Sequence, residues 1–149
     1  MTLSYSNAAQ RAALDAKLAL LNAGAGPTPT CRVYTAPIPT RVDDGVGAAT
    51  LLAELAMDGT SAFQASTDDA ANNRALATAN AIQNDAAANA TGQAAFCLFF
   101  DKDDNPVLQG SAGDVGTEFL VLNNANLQQN AIVGVTLCQV YEAESAADV

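Results

Sequence analysis

Apolar side chains near the start of the chain recur with the spacing of a helix. Leu14, Leu18 and Leu21 form one narrow stripe within a segment of good helix formers that contains no β-branched residue. This pattern predicts a helix from Asn7 to about Asn22, with Asn7 at its N-terminal cap. The stripe needs a surface to cover, which is either the protein's own core or a neighbouring subunit.

The pattern changes beyond a linker, Gly24–Thr30, that holds two glycines and two prolines. Short apolar runs separated by Gly, Pro, Asn and Asp clusters are typical of an all-β sandwich or barrel. Two runs are ambiguous, because 50–57 also suits a helical turn and the alanines of 75–82 favour helix. We interpret both as strands. The predicted strands are 31–35, 50–57, 62–65, 75–82, 94–100, 107–110, 118–122 and 131–141.

Composition qualifies this picture of the core. The hydrophobic fraction is 50%, but alanine supplies about a fifth of the chain and aromatic residues only 5%. An alanine contributes little more than one methyl group to a core, so we expect a modest stability per residue. We expect two parts, a helical arm with its linker over 1–28 and a β-sandwich domain over 29–149.

The charge of the chain restricts its partners. Against 6 basic residues there are 16 acidic ones, which gives a net charge of −10. This is the wrong sign for binding nucleic-acid phosphates or anionic lipid. No run of about 18 apolar residues could span a bilayer, and the N-terminal residues lack the pattern of a secretory signal. We therefore expect no direct contact with nucleic acid or membrane, and synthesis in the cytoplasm.

Side chains suited to catalysis are sparse. The chain has no histidine, the commonest general base and metal ligand, and no phosphate-binding loop or dinucleotide motif. Cys31, Cys97 and Cys138 lie in apolar runs without CxxC spacing, so we interpret them as buried hydrophobes. We predict that the protein is not an enzyme and uses no cofactor and no metal.

One polar turn has the beginning of a calcium-binding pattern. Asp101, Asp103 and Asn105 match the first three ligand positions of a calcium-binding loop. Pro106 stands where that loop needs glycine, and Ala112 where it needs glutamate. We therefore predict a solvated hairpin turn, with a weak surface ion site as the alternative.

Several segments follow one another in a distinctive order. LSYSNAAQRAALDAKLALLNAG is followed by a Gly and Pro linker, by RVYTAPIP and by TLLAEL. ATANAI, ATGQAAFCLFFDKDDNPVLQGSAG and AIVGVTLCQV come later. In this order the chain resembles a family of small virion proteins of tailed bacteriophages, the capsid cement or decoration proteins. It departs from the usual pattern in its cysteines and in the loop APIPTRVDD.

The resemblance implies a jelly-roll-like β-sandwich on the exterior of the capsid. An exterior location agrees with the net charge of −10, because packaged DNA would repel an acidic protein. The implied partner is the major capsid protein, and a second possible partner is another copy of the chain itself. We expect contact through the leucine stripe of the helix or through loop 36–49. The predicted contact residues are Leu14, Leu18, Leu21, Arg41, Asp43 and Asp44.

Two other functions fit the same composition. A minor tail, neck or head-fibre protein would share the acidic, β-rich character but occur in few copies per particle. A carbohydrate- or cell-surface-binding module is the second, because β-sandwiches host such sites. Aromatic rings to stack on a sugar are scarce, however, since the chain has no tryptophan and 3 tyrosines.

Overall fold

The structure, a computed structural model, describes residues 3–143. These residues are mainly β, as predicted, with one N-terminal α-helix that a 3-10 turn, Leu20–Asn22, extends. The elements are α1 (Asn7–Ala19), β1 (Thr30–Tyr34), β2 (Leu51–Ala56), β3 (Thr67–Asp69), β4 (Arg74–Thr78), β5 (Gly92–Gln93), β6 (Phe96–Phe100), β7 (Pro106–Gly113), β8 (Leu120–Leu122), β9 (Asn126–Leu127) and β10 (Val135–Ala143).

Eight strands form one hydrogen-bonded sheet in the order β2, β1, β6, β7, β8, β10, β4, β3. Its neighbouring strands are antiparallel, except that β7 and β8 are parallel. β5 and β9 pair with each other. Side chains from both halves of the large sheet meet in one buried cluster, so the halves face each other as the layers of a β-sandwich.

The segment 83–89 ties the two halves together at the β2 edge. Its main-chain N–H groups donate to β2, among them Asn89 N to Leu52 O at 2.8 Å. Asp85 pairs with Val133, just before β10, through two main-chain hydrogen bonds of 3.0 and 2.9 Å. An open strand edge is a template for pairing with another chain, and here the β2 edge is covered.

The helix begins one residue away from the predicted cap. Ser6 Oγ accepts a hydrogen bond from Ala9 N at 3.2 Å, which satisfies one of the free N–H groups of the first turn. Asn7, the predicted cap, is the first helical residue, and its side chain donates to Asp68 at 3.0 Å. The helix and its 3-10 turn end at Asn22, as predicted.

The leucine stripe packs on the core of its own chain. Leu14, Leu18 and Leu21 are 4%, 5% and 0% exposed and belong to the main core cluster. α1 lies against β4, where the small side chains of Ala75 and Ala77 allow a close approach. The prediction that these leucines contact a partner is therefore wrong, and a boundary drawn at residue 28 crosses the core.

Most predicted strands are present with shifted bounds; the ambiguous run 50–57 contains β2, and the run 75–82 overlaps β4. Residues 62–65 form no strand of their own but one bridge, Phe63 to Ala79. The hydrophobic pattern did not indicate β3, β5 and β9. Each has two or three residues, which are mostly polar, and forms by pairing with a distant partner strand rather than by its own propensity.

Candidate interaction surface

A second hydrophobic cluster lies on the face of β1 and β6 opposite the main core, because alternate side chains of a strand point to opposite faces. Phe63 and Phe99 lie in the main core, whereas the rings of Tyr34 and Phe96 stack in this outer cluster with their centroids 5.2 Å apart. Loop 36–49 covers it. The cluster consists of Tyr34, Phe96, Leu98 and Phe100, with Val42, Val46 and Ala49 of the loop packed against them.

Hydrogen bonds hold loop 36–49 at its neck and near its middle. Thr35 N donates to Thr50 O at 3.0 Å, and Thr50 N donates to Thr35 Oγ1 at 2.9 Å. Gln109 Nε2, on β7, donates to Pro39 O at 2.9 Å. Packing and hydrogen bonds therefore fix the loop before it meets a partner, and such preorganisation lowers the entropic cost of binding.

The three predicted contact residues of the loop lie together on its exposed part. Arg41 N donates to Asp44 Oδ2 at 3.0 Å, and Arg41 Nε lies 4.0 Å from Asp44 Oδ1. The exposed Asp43 side chain makes no hydrogen bond or ion pair with any described residue. Ile38, which is 57% exposed, lies on the same loop. The hydrophobic pattern did not single it out, although an apolar residue between two prolines marks the position.

Carboxylates dominate the rest of the charged surface. Arg32 lies between Glu54 and Asp104, with nitrogen to oxygen distances of 2.6 and 2.7 Å. Lys17 and Arg74 also pair with acidic side chains. Because acidic residues outnumber basic ones and most of the described cations are already paired, the free charge is negative. Such a surface favours a partner with positive charge.

In the polar turn between β6 and β7, the side chain of Asp101 accepts hydrogen bonds from the main chain of the same turn. Asp101 Oδ1 accepts hydrogen bonds from Asp103 N and Asn105 N, both at 2.9 Å. Hydrogen bonds from Asn105 hold the pKa of Asp101 below its usual range. Asp103 reaches the linker and accepts from Ala25 N at 2.9 Å. In the described part of the chain, no group of three or more carboxylates and thiols is arranged to hold a metal ion.

Cys31, Cys97 and Cys138 are buried free thiols in the main core, as expected. Burial raises the pKa of the Cys31 thiol well above its ordinary value, and the neighbouring Cys97 adds to this shift. Burial also raises the pKa of the Cys138 thiol. The reactive thiolate form is therefore suppressed at both of these positions.

We expect the three thiols to be unreactive in the folded protein. A thiol-alkylating reagent at about pH 8 should add to none of them within the time that labels a free cysteine in solution. In denaturant it should add to all three, as read from the intact mass. Rapid labelling of any thiol without denaturant would contradict the burial of that side chain.

The exposed part of loop 36–49 is the candidate surface, with Arg41, Asp43 and Asp44 beside Ile38. Within residues 3–143, no helix is both long enough and apolar enough to cross a membrane. Comparisons with protein-family models, with curated proteins and with solved structures find no match to this chain.

Proposed function

We propose that the protein is a capsid cement or decoration protein of a tailed bacteriophage, and that loop 36–49 binds the outer surface of the major capsid protein lattice. The observation that carries the proposal is how the loop is held. Its partly buried side chains pack on the outer cluster of β1 and β6, while Ile38, Arg41 and Asp43 are exposed. A loop held in this way presents charged and apolar groups with little further ordering.

The charge of the chain supports an exterior location. A net charge of −10 is repelled by packaged DNA and attracted by basic patches on a protein shell. Binding on the outside avoids the DNA. Each bound copy stabilises the shell by mass action, because it binds the assembled lattice and not its separated subunits.

The resemblance supports the same function. The order of segments that resembles the phage decoration proteins runs through nearly the whole chain, and RVYTAPIP covers the end of β1 and the start of loop 36–49. The family has no catalytic motif, in keeping with the scarcity of catalytic side chains here. We also propose that the strands of the β-sandwich are connected as in a jelly roll.

Reversing one loop charge tests the proposal. Purified heads that lack the protein are mixed with subsaturating amounts of the wild type or of Asp43→Lys, and bound copies are counted on a stoichiometric gel. We expect Asp43→Lys to bind about tenfold more weakly, because a charge reversal at an interface replaces an attraction by a repulsion. The Asp43 side chain is exposed and makes no hydrogen bond or ion pair with described residues, so the fold should be unaffected.

Asp68→Lys is the control, because it changes the net charge equally at an exposed position outside the loop and gives up only one exposed hydrogen bond, from Asn7 Nδ2. We expect it to bind like the wild type. Equal occupancy for the wild type and Asp43→Lys would show that the loop is not part of the interface. Absence of binding by the wild type would exclude the capsid as the partner. Saturation at a handful of copies, rather than hundreds, would favour a neck or tail component.

A further inference from the structure

The large sheet opens on the side where β8 begins, at Leu120. β8 pairs with two residues of β7 and with β10 between Val135 and Cys138. Within the part of the chain that the structure describes, no strand lies between β7 at 107–109 and β10 at 140–142. β6 and β4 pair with the outer edges of these stretches, so their facing edges make no ladder of main-chain hydrogen bonds.

A groove runs between these facing edges, beside α1. Its volume is about 260 Å³, below the roughly 300–1,000 Å³ of small-molecule sites. The Phe119 ring lies where β8 begins, 5.4 Å from the Tyr141 ring. Leu20, at the rim, is 57% exposed. The apolar lining consists mainly of Leu14, Leu18, Val107, Leu108, Phe119 and Val140.

Charge restricts what the groove binds. Its two charged lining residues, Lys17 and Glu142, pair with each other at 2.7 Å, so a segment inside it needs no charge. The net charge of −10 opposes a second copy and favours an occupant with basic flanks.

We propose that this groove binds an extended segment of a partner protein as an added strand between β7 and β10. The segment is uncharged inside the groove, carries apolar side chains at alternate positions and has basic flanks. Main-chain hydrogen bonds to the two strand edges supply affinity, and the alternate side chains that enter the groove supply specificity. This inference does not depend on the capsid assignment.

A designed peptide tests the groove directly. The probe is a fluorescent peptide of about ten residues, in which valine and threonine alternate between two lysines at each end. We expect saturable binding with a dissociation constant of about 100 µM or tighter. Hydrogen exchange of the amides of 107–109 and 140–142 should slow when the peptide is bound, because an added strand protects them. A peptide with proline in place of each threonine should not bind, since proline donates no hydrogen bond.

Two surface variants distinguish binding in the groove from nonspecific binding to exposed apolar residues. Leu20→Lys places an ammonium group at the groove rim, where it repels the lysine flanks of the probe, whereas Ile132→Lys makes the same change at an apolar residue that is 63% exposed and does not line the groove. We expect about tenfold weaker binding of the peptide for Leu20→Lys, and wild-type binding for Ile132→Lys. Circular dichroism should show that both variants fold.

Three outcomes would overturn the inference. They are no saturable binding up to about 1 mM peptide, equal weakening by both variants, and exchange protection outside the two edges. Sedimentation of the chain alone gives a further check. A dimer that Leu20→Lys dissociates, and Ile132→Lys does not, would assign the groove to a second copy instead of a partner protein.

Discussion

Replacing Leu21 by alanine is expected to lower the free energy of unfolding by about 2–5 kcal/mol. Leu21 is 0% exposed and lies in the main core, where α1 passes into its 3-10 turn. Truncation removes buried methyl groups and leaves a cavity that the neighbouring strands fill only in part. In an alanine-rich protein the few large side chains carry most of the burial, so the loss is a large fraction of the total stability. Urea denaturation followed by circular dichroism measures it.

Leu20→Ala is the matched control for this prediction. Leu20 is the adjacent leucine, but it is 57% exposed, so we expect its replacement to change the stability by no more than about 0.5 kcal/mol. Equal effects of the two substitutions would mean that the helix does not pack on the sheet in solution. The leucine stripe would then again be available to a partner.

Gly26→Ala is expected to lower the free energy of unfolding by about 3 kcal/mol, although it adds one methyl group. A Cβ atom at Gly26 would lie 2.1 Å from the main-chain oxygen of Lys102, in the turn between β6 and β7. A backbone oxygen cannot move aside as a side chain can, so the linker must shift. The shift would break the hydrogen bond from Lys102 N to Ala23 O, at 2.9 Å, that holds the linker to the turn.

Gly116→Ala is the control for the glycine substitution. A Cβ atom there would meet nothing within 4 Å. We expect no loss of stability, and a small gain is consistent with the lower entropy of the unfolded chain. Thermal unfolding of the two variants side by side measures the difference. A melting temperature of Gly26→Ala equal to that of Gly116→Ala would show that the linker does not lie against the turn.

Two alanines of β4 have a structural explanation in this fold. Ala75 and Ala77 of β4 are each 1% exposed and face α1 across the core. Larger side chains at these positions would push the helix away from the sheet, because protein cores are close-packed. Small residues therefore let α1 close the sandwich, and the leucines of the helix supply the apolar volume that β4 lacks.

Locally determined features were predictable from the sequence. The helix from Asn7 to Asn22 follows from apolar spacing and helix propensity, which act within a few turns. The hairpin of β6 and β7 follows from two runs of strand formers that flank a polar turn, and the hydrogen bonds of Asp101 remain within that turn. The exposed position of Arg41 and Asp43 follows from their loop composition.

Features that depend on distant parts of the chain came only from the tertiary structure. Periodicity marks Leu14, Leu18 and Leu21 as one face but leaves open which surface covers it, and only the folded chain places β4 beneath that face. The parallel pairing of β7 with β8 and the groove beyond it depend on where β8 begins against two other strands. Apolar spacing is a local property, whereas the partner of each face and edge is decided by contacts between residues far apart in sequence.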